Sequence, residues 1–333
     1  MQLILDSYGA FLGARDGMFS LRLRGAERRL IPVRDVKGIL LMQGVSVSTH
    51  AMRLAIENDI PIVLMDKLEH PFGLVWSGQF GSIATIRKHQ ALWSTDVQGM
   101  GWVRTVLARK IRHQQENLLA VGQLVGIDMD DHVDKMAGMG LQFENWRYQG
   151  ESHSELAGTF RGWEGVASRL YFAALSQLLP AAFKFEKRSK RPAYDPFNAL
   201  LNYLYGFLYA SVELGLMKAG LDPYTGVLHA DEYKRPTLVF DTIELYRHWA
   251  ERVALELCIY GKISPADLTE ESAYEGHRLR PSGKRVVVSA MLEYLNAPVQ
   301  VQDRRRARKV QIDLDAQFLA QTLKTFAPIH RIT

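Results

Sequence analysis

Apolar and polar residues alternate over short runs through the first eighty or so positions. Leu3–Leu5, Ala10–Ala14, Phe19–Leu23, Leu30–Val33, Gly38–Met42 and Pro61–Met65 are alternating or wholly apolar. A period of two predicts half-buried strands, and a short continuous apolar run suits a strand buried on both faces. Turn signals such as Arg15-Asp16-Gly17 and Arg24-Gly25-Ala26 separate the runs. One helix is predicted to interrupt them. Thr49 would cap it, and Ala51, Leu54, Ala55 and Asn58 recur three and four apart. Leu74–Trp76 reads as a last strand, and the stretch Ser-Gly-Gln-Phe-Gly-Ser at 77–82 as a linker.

From about Ile86 the period lengthens to that of helices. Val103, Val106, Leu107, Ile111 and Leu118 fall on one face, with Arg104, Arg109, Lys110, Arg112 and His113 placed elsewhere. Further helices are predicted over 163–179, stopped by Pro180, and over 197–218, led in by Asp195-Pro196 and ended near Gly220. Another covers 240–259, and a short one starts at Ser264. The expected architecture is a small N-terminal β-domain at 1–80, a linker at 81–88 and a larger all-α C-terminal domain at 89–333. No internal repeat or low-complexity tract is present.

Composition narrows the classes. The single cysteine, Cys258, excludes an internal disulfide and a thiolate zinc cage. A cytoplasmic setting fits it, and no signal peptide is read at the N-terminus. The longest near-apolar stretch, Ala199–Met217, is interrupted by Asn202 and Glu213 and reads as a buried helix, not a membrane span. Net charge is +5, but it is concentrated. Arg278–Lys309 holds nine Lys/Arg against two acids, and Lys184–Arg191 holds five against one. The rest of the chain is therefore acidic. Basic charge gathered in two places on an acidic background suggests a polyanion surface, against the plainer reading of a solvated face.

Candidate chemistry lies in the second half. Glu164, His229, Asp241 and Glu244 supply carboxylates and one imidazole without a thiol. That donor set suits a hard divalent cation, and such a cation beside basic surface suits phosphodiester chemistry. Each residue also has an ordinary reading. Glu164, Asp241 and Glu244 would be helix-start acids, and His229 a structural hydrogen-bonding group. His248 lies four residues after Glu244, and spacing does not choose between it and His229.

Three separated motifs point further. Gly-Trp-Glu-Gly-Val-Ala-Ser-Arg-Leu-Tyr-Phe at 162–172 is one. Arg-Pro-Ala-Tyr-Asp-Pro-Phe-Asn-Ala-Leu-Leu-Asn-Tyr at 191–203 leads into Gly-Leu-Asp-Pro-Tyr-Thr-Gly-Val-Leu-His at 220–229. Arg-Pro-Thr-Leu-Val-Phe-Asp-Thr-Ile-Glu follows at 235–244. Together they resemble the CRISPR-associated integrase, the first Cas protein, over most of the chain. The resemblance implies that Glu164, His229 and Glu244 bind a catalytic Mg²⁺ or Mn²⁺, with Asp241 as a supporting acid and His248 outside the set. The last ligand is often Asp in relatives.

The same resemblance implies a homodimer formed through the β-domains. It also implies a small ferredoxin-like partner, the second Cas protein, and as substrates a duplex prespacer and the CRISPR repeat beside its leader. The expected activity joins prespacer 3′-hydroxyl ends to repeat DNA by transesterification, with endonuclease capability. A structure-specific nuclease without integration and a non-catalytic DNA-binding scaffold are the alternatives. Arg169, Lys187, Arg188, Lys190, Arg191, Asn198, Lys284 and Arg285 are candidate DNA contacts, with Asn198 equally able to brace helices. Phosphate contacts of this kind give affinity without sequence choice. Tyr8 and Tyr194 are weighed as stacking platforms, with core or rim packing as the plainer role.

Overall fold

The structure, a computed structural model, describes residues 2–58, 60–65, 71–75, 83–229, 235–270, 276–301 and 303–329. The chain divides into two compact units, Met1–Ser82 and Ile83–Thr333.

The first unit is strand-rich. Strands β1 (Gln2–Leu5), β5 (Gly38–Leu41), β7 (Ile62–Met65) and β8 (Pro71–Val75) form one sheet, parallel except for β8. Strands β4 (Arg29–Pro32), β3 (Met18–Arg22), β2 (Phe11–Arg15) and β6 (Ser46–Val47) form the other. The alternation of the sequence is realised face by face. Leu3, Leu5, Ile39, Leu41 and Ile62 enter one core with Leu12, Phe19, Ala51 and Ala55, while Leu40, Val63 and Met65 form a small cluster of their own. The wholly apolar run at 38–41 is buried at every position, as a parallel strand covered on both faces requires. Helix α1 (Thr49–Glu57) starts one residue differently from expectation. Ser48, not Thr49, is the cap, and its hydroxyl accepts from the Ala51 N–H at 3.1 Å. Trp76 and the Ser-Gly-Gln-Phe-Gly-Ser stretch lie outside the described residues.

The second unit is helical. Helix α2 (Ile83–Trp93) takes in residues 83–88, for which a linker was expected. Helix α3 (Val97–Val125) is capped by Asp96 and stopped by Gly126 in the left-handed region at φ 74°. Helix α4 (Asp130–Asn145) returns against it. Helix α5 (His153–Gln177) begins ten residues before the predicted start, because Ser152 and Glu155 form a capping box. Helix α6 (Pro196–Lys218) follows the predicted bounds, with Asp195 as its cap.

The helix predicted over 240–259 is two. Helix α7 (Thr237–Ile243) ends at Glu244, and α8 (Arg247–Ile259) begins three residues later. Tight backbone bonds from Leu245 to Thr242 and from Tyr246 to Ile243 make the corner. Ser264 leads into a single 3₁₀ turn and then β9 (Leu268–Glu270), where a short helix was expected. Strand β10 (His277–Leu279) pairs with β9. Helix α9 (Pro281–Asn296), the hairpin β11 (Pro298–Val301) and β12 (Arg304–Ala307), and helix α10 (Val310–Lys324) complete the unit. No helix among the described residues is long and apolar enough to cross a membrane. Helix α6 is a core helix instead, with Leu200, Leu201, Leu204, Leu208, Val212 and Leu216 fully buried.

Candidate active site

Glu164 stands in the fourth turn of α5, well inside the helix, so it is not a helix-start acid. Glu244 closes the C-terminal end of α7, where the helix dipole disfavours an anion. Its carboxylate therefore needs other support, and two buried cations provide it. Arg247 Nε donates to Glu244 Oε1 at 2.7 Å, and Lys110 Nζ lies 2.6 Å from Oε2, though not along a hydrogen-bonding direction. Burial works against ionising Glu244, but Arg247 and Lys110 outweigh it and hold the carboxyl down at about 2. Lys110 also donates to Glu164 Oε1, which accepts from Ser168 Oγ at 2.6 Å as well. Burial likewise opposes the Glu164 carboxylate, and Lys110 lowers it below the ordinary range. In return the two carboxylates hold the buried Lys110 ammonium above the usual lysine value.

Asp241 shares α7 with Glu244 but serves a different partner. It is 2% exposed, and its carboxylate accepts from the backbone N–H groups of Val227 (2.7 Å), Leu228 (3.1 Å) and His229 (3.3 Å). The same group meets His229 Nδ1 at 2.6 Å. A carboxylate accepts, so the neutral ring carries its hydrogen on Nδ1 and its lone pair on Nε2. The edge of Phe240 packs on the ring, with centroids 5.7 Å apart.

The loop that bears His229 is fixed from outside as well. Buried Gln90 donates to the Asp222 and Thr225 carbonyls and accepts from the Asp222 N–H. Gly226 N–H donates to Thr237 Oγ1 at 2.9 Å. A Cβ on Gly226 would lie 2.7 Å from Thr237 backbone and side chain. Gly226→Ala should therefore displace this loop and destabilise the protein by about 1–3 kcal/mol, read as a lowered thermal midpoint.

Glu164, His229 and Glu244 line one cavity of about 600 Å³ from three different elements. Asp241 stays behind His229. Lys110, Arg161, Arg169, Lys187, Arg188, Lys190 and Arg247 contribute cationic side chains to the same lining. Arg169, Lys187 and Lys190 are exposed at it. Arg188 is half-buried, donates to the Ser189 carbonyl, Asn198 Oδ1 and Asn202 Oδ1, and lies over the Phe172 and Tyr205 rings.

Asn198 is fully buried and bonds the Lys187 carbonyl and the Ser189 N–H. Of its two roles weighed in the sequence, the structure displays the brace, which holds the basic 187–190 segment. Arg191, Lys284 and Arg285 fall outside the cavity lining; Lys284 sits over the Tyr203 ring. His248 is also outside it, packed against the His113 ring at a tilt of 40° with centroids 4.3 Å apart. Burial, with His113 and Arg308 alongside, pushes the His248 ring down to about 3. Tyr8 and Tyr194 are exposed and belong to neither core.

Lys110 and Arg247 were not singled out from the sequence. Lys110 was placed off the apolar face of α3, yet it is buried. It follows Val103 by seven residues and Leu107 by three, and Gln114, Asn117 and Val121 continue the row. Polar residues on a buried stripe were the available signal.

The donor set fits a hard cation: two carboxylates and one outward imidazole nitrogen, with an ammonium already drawn between the carboxylates. Among the described residues no three His, Cys, Asp or Glu side chains converge on one point as they stand.

A family model, CRISPR associated protein Cas1, matches residues 3–293. The CRISPR-associated endonuclease Cas1 2 of Pyrobaculum aerophilum is 30% identical, over 93% of this chain and 98% of its own. A Cas1 protein from Thermotoga maritima has the same fold, with a TM-score of 0.77 at 22% identity and 99% of both chains covered. A casposase bound to integration product superposes with a TM-score of 0.76 at 18% identity, over 97% of this chain and 90% of that one. The chain belongs to the Cas1 family of CRISPR-associated proteins.

Proposed function

We propose that this protein is a metal-dependent DNA integrase and endonuclease of CRISPR spacer acquisition. The observation that carries the reading is the cavity on which Glu164, His229 and Glu244 face together, edged by Arg161, Arg169, Lys187, Arg188 and Lys190. Glu164, His229 Nε2 and Glu244 are the groups to hold Mg²⁺ or Mn²⁺. When bound, that ion supplies Lewis-acid stabilisation of charge on phosphate oxygens. Asp241 keeps the His229 ring in one tautomer and one orientation. Arg247 keeps Glu244 ionised and ready to ligate. Arg169, Lys187 and Lys190 bind the phosphate backbone and bring a DNA end to the cavity, giving affinity that falls with salt. No side chain is needed as a covalent nucleophile, because the 3′-hydroxyl of the incoming strand attacks the phosphodiester and a 3′-oxygen leaves.

The family resemblance supports the surrounding assembly. Two copies pair through their N-terminal units, and a small ferredoxin-like second Cas protein joins two such pairs around a duplex prespacer. The site of action is the CRISPR repeat beside its leader, in the cytoplasm.

The test is a joining assay with a labelled 3′-hydroxyl duplex and repeat DNA, with and without Mg²⁺ or Mn²⁺ and with the small partner added. Metal-dependent joined product is expected. Cleavage without joining would make water the nucleophile and the protein a nuclease only. Metal-independent activity, or full joining by Glu164→Ala, would overturn the site.

A further inference from the structure

Lys110 is 5% exposed and carries a buried ammonium between the two carboxylates assigned above to a divalent ion. Without a cation between them, Glu164 and Glu244 would repel each other, with Arg247 offsetting the charge on the Glu244 side. With a divalent ion bound to both, the ammonium would in turn be repelled at short range in a medium of low polarity. One position between the carboxylates thus has two claimants.

A second observation lies one helical turn away. Gln114 is 1% exposed and Glu251 is 0% exposed, and both line the same cavity as Lys110. Glu251 Oε1 accepts from Tyr205 Oη at 2.6 Å and from Gln114 Nε2 at 3.5 Å. Glu251 Oε2 and Gln114 Oε1, however, are buried with no well-directed donor, although the Tyr171 hydroxyl is near enough to act on the Glu251 carboxyl. Orphaned buried acceptors cost free energy until a donor reaches them. Lys110 and Gln114 are four residues apart on one face of α3, and a lysine has three donor hydrogens on a rotatable stem. Burial pushes the Glu251 carboxyl up, and the Lys110 charge acts on it in the opposite sense.

We propose that Lys110 is the resident cation of the metal-free centre, and that a divalent ion displaces its ammonium to a second seat formed by Gln114 Oε1 and Glu251 Oε2. The lysine keeps the empty site assembled and competes with the ion that replaces it. Gln114 and Glu251 are positioning residues that make the displacement less unfavourable. This inference rests on the reading of Glu164, His229 and Glu244 as ligands.

The test is Mn²⁺ affinity of the full chain, from the electron paramagnetic resonance signal of free Mn²⁺ and from calorimetry. Lys110→Met should bind Mn²⁺ at least about tenfold more tightly than the unmodified protein, since a buried like charge is removed. Its metal-free form should melt lower and recover more on adding Mn²⁺. Gln114→Leu should bind about three- to tenfold more weakly, because the displaced ammonium loses an acceptor. In the Lys110→Met background, Gln114→Leu should change nothing, a coupling that a purely structural role would not produce.

Unchanged or weaker binding by Lys110→Met, with binding lost in Glu164→Ala, overturns the proposal and leaves the ligand assignment standing. Unchanged binding by Glu164→Ala overturns both. Lys110→Gln carries the same expectation should the methionine variant not fold. The Gln114→Leu arm needs no change at Lys110, and an affinity there equal to the unmodified protein overturns the second seat by itself.

Discussion

His229→Ala should abolish metal-dependent joining, by about 10³-fold or more, as expected for loss of a ligand that contributes several kcal/mol of transition-state stabilisation. It should do so almost without destabilising the fold. The side chain is 39% exposed, and the main thing it gives up is its bond to Asp241. Asp241 keeps the three backbone N–H donors of Val227, Leu228 and residue 229, so its buried carboxylate is not stranded. A stability cost below about 1 kcal/mol follows. The checks are the joining assay and a thermal melt on the same preparation. A variant that joins at the normal rate would remove His229 from the site, and one that melts far lower would make it a structural group.

Glu244→Ala should lose joining to the same degree and should also be unstable. Here the carboxylate neutralises Arg247 and shares Lys110, and both cations are largely removed from water. Among the described residues, deleting it leaves Arg247 with the Tyr209 hydroxyl and the Tyr205 and Tyr209 ring faces, and leaves Lys110 with Glu164 and the Ser168 hydroxyl. Breaking a buried pair from one side costs about 3–5 kcal/mol. For a unit of this size that is a fall in the thermal midpoint of about 10 °C. The corner at 244–246 that separates α7 from α8 should loosen with it, because no glycine or proline makes that corner. The two variants thus make a contrast: equal losses of activity with unequal losses of stability. Equal stability would show that the Lys110–Glu244–Arg247 bridge holds nothing together.

Much of the fold was legible in the sequence because burial follows simple periods. The runs at 2–5, 11–15, 18–22, 29–32, 38–41 and 62–65 became strands, and the 196–218 helix kept the bounds that Asp195-Pro196 and the glycine at 220 suggested. Strand β6, of two residues, is too short to carry a period. The start of α5 is encoded by the Ser152–Glu155 capping box, ten residues ahead of the apolar run that marks the helix more strongly. The break after Ile243 has no glycine or proline to mark it, and the partner that Glu244 meets there, Lys110, lies more than a hundred residues earlier.

The candidate ligands were legible only through their motifs, and their surroundings were not. Charge misled at Lys110, where spacing placed it on the buried stripe of α3 and its ammonium suggested solvent. Asp241 and Glu244 were expected to share a face, three residues apart. The end of α7 instead sends one carboxylate to the His229 loop and the other to Lys110 and Arg247. Ser168 and Arg247 reach the candidate ligands locally, four residues after Glu164 and three after Glu244, whereas Lys110, Gln114 and Glu251 are brought to the same cavity by the packing of α3, α5 and α8.

The central claim is that one divalent ion is held by Glu164, His229 Nε2 and Glu244. Pulsed electron paramagnetic resonance of the Mn²⁺-loaded protein tests it most directly, because modulation from a coordinated imidazole nitrogen reports a ligand atom and not an activity. One bound Mn²⁺ is expected, with a histidine nitrogen signal that disappears in His229→Ala and persists in a variant of His248. A Mn²⁺ spectrum without nitrogen coupling, or one unchanged by His229→Ala, would contradict it.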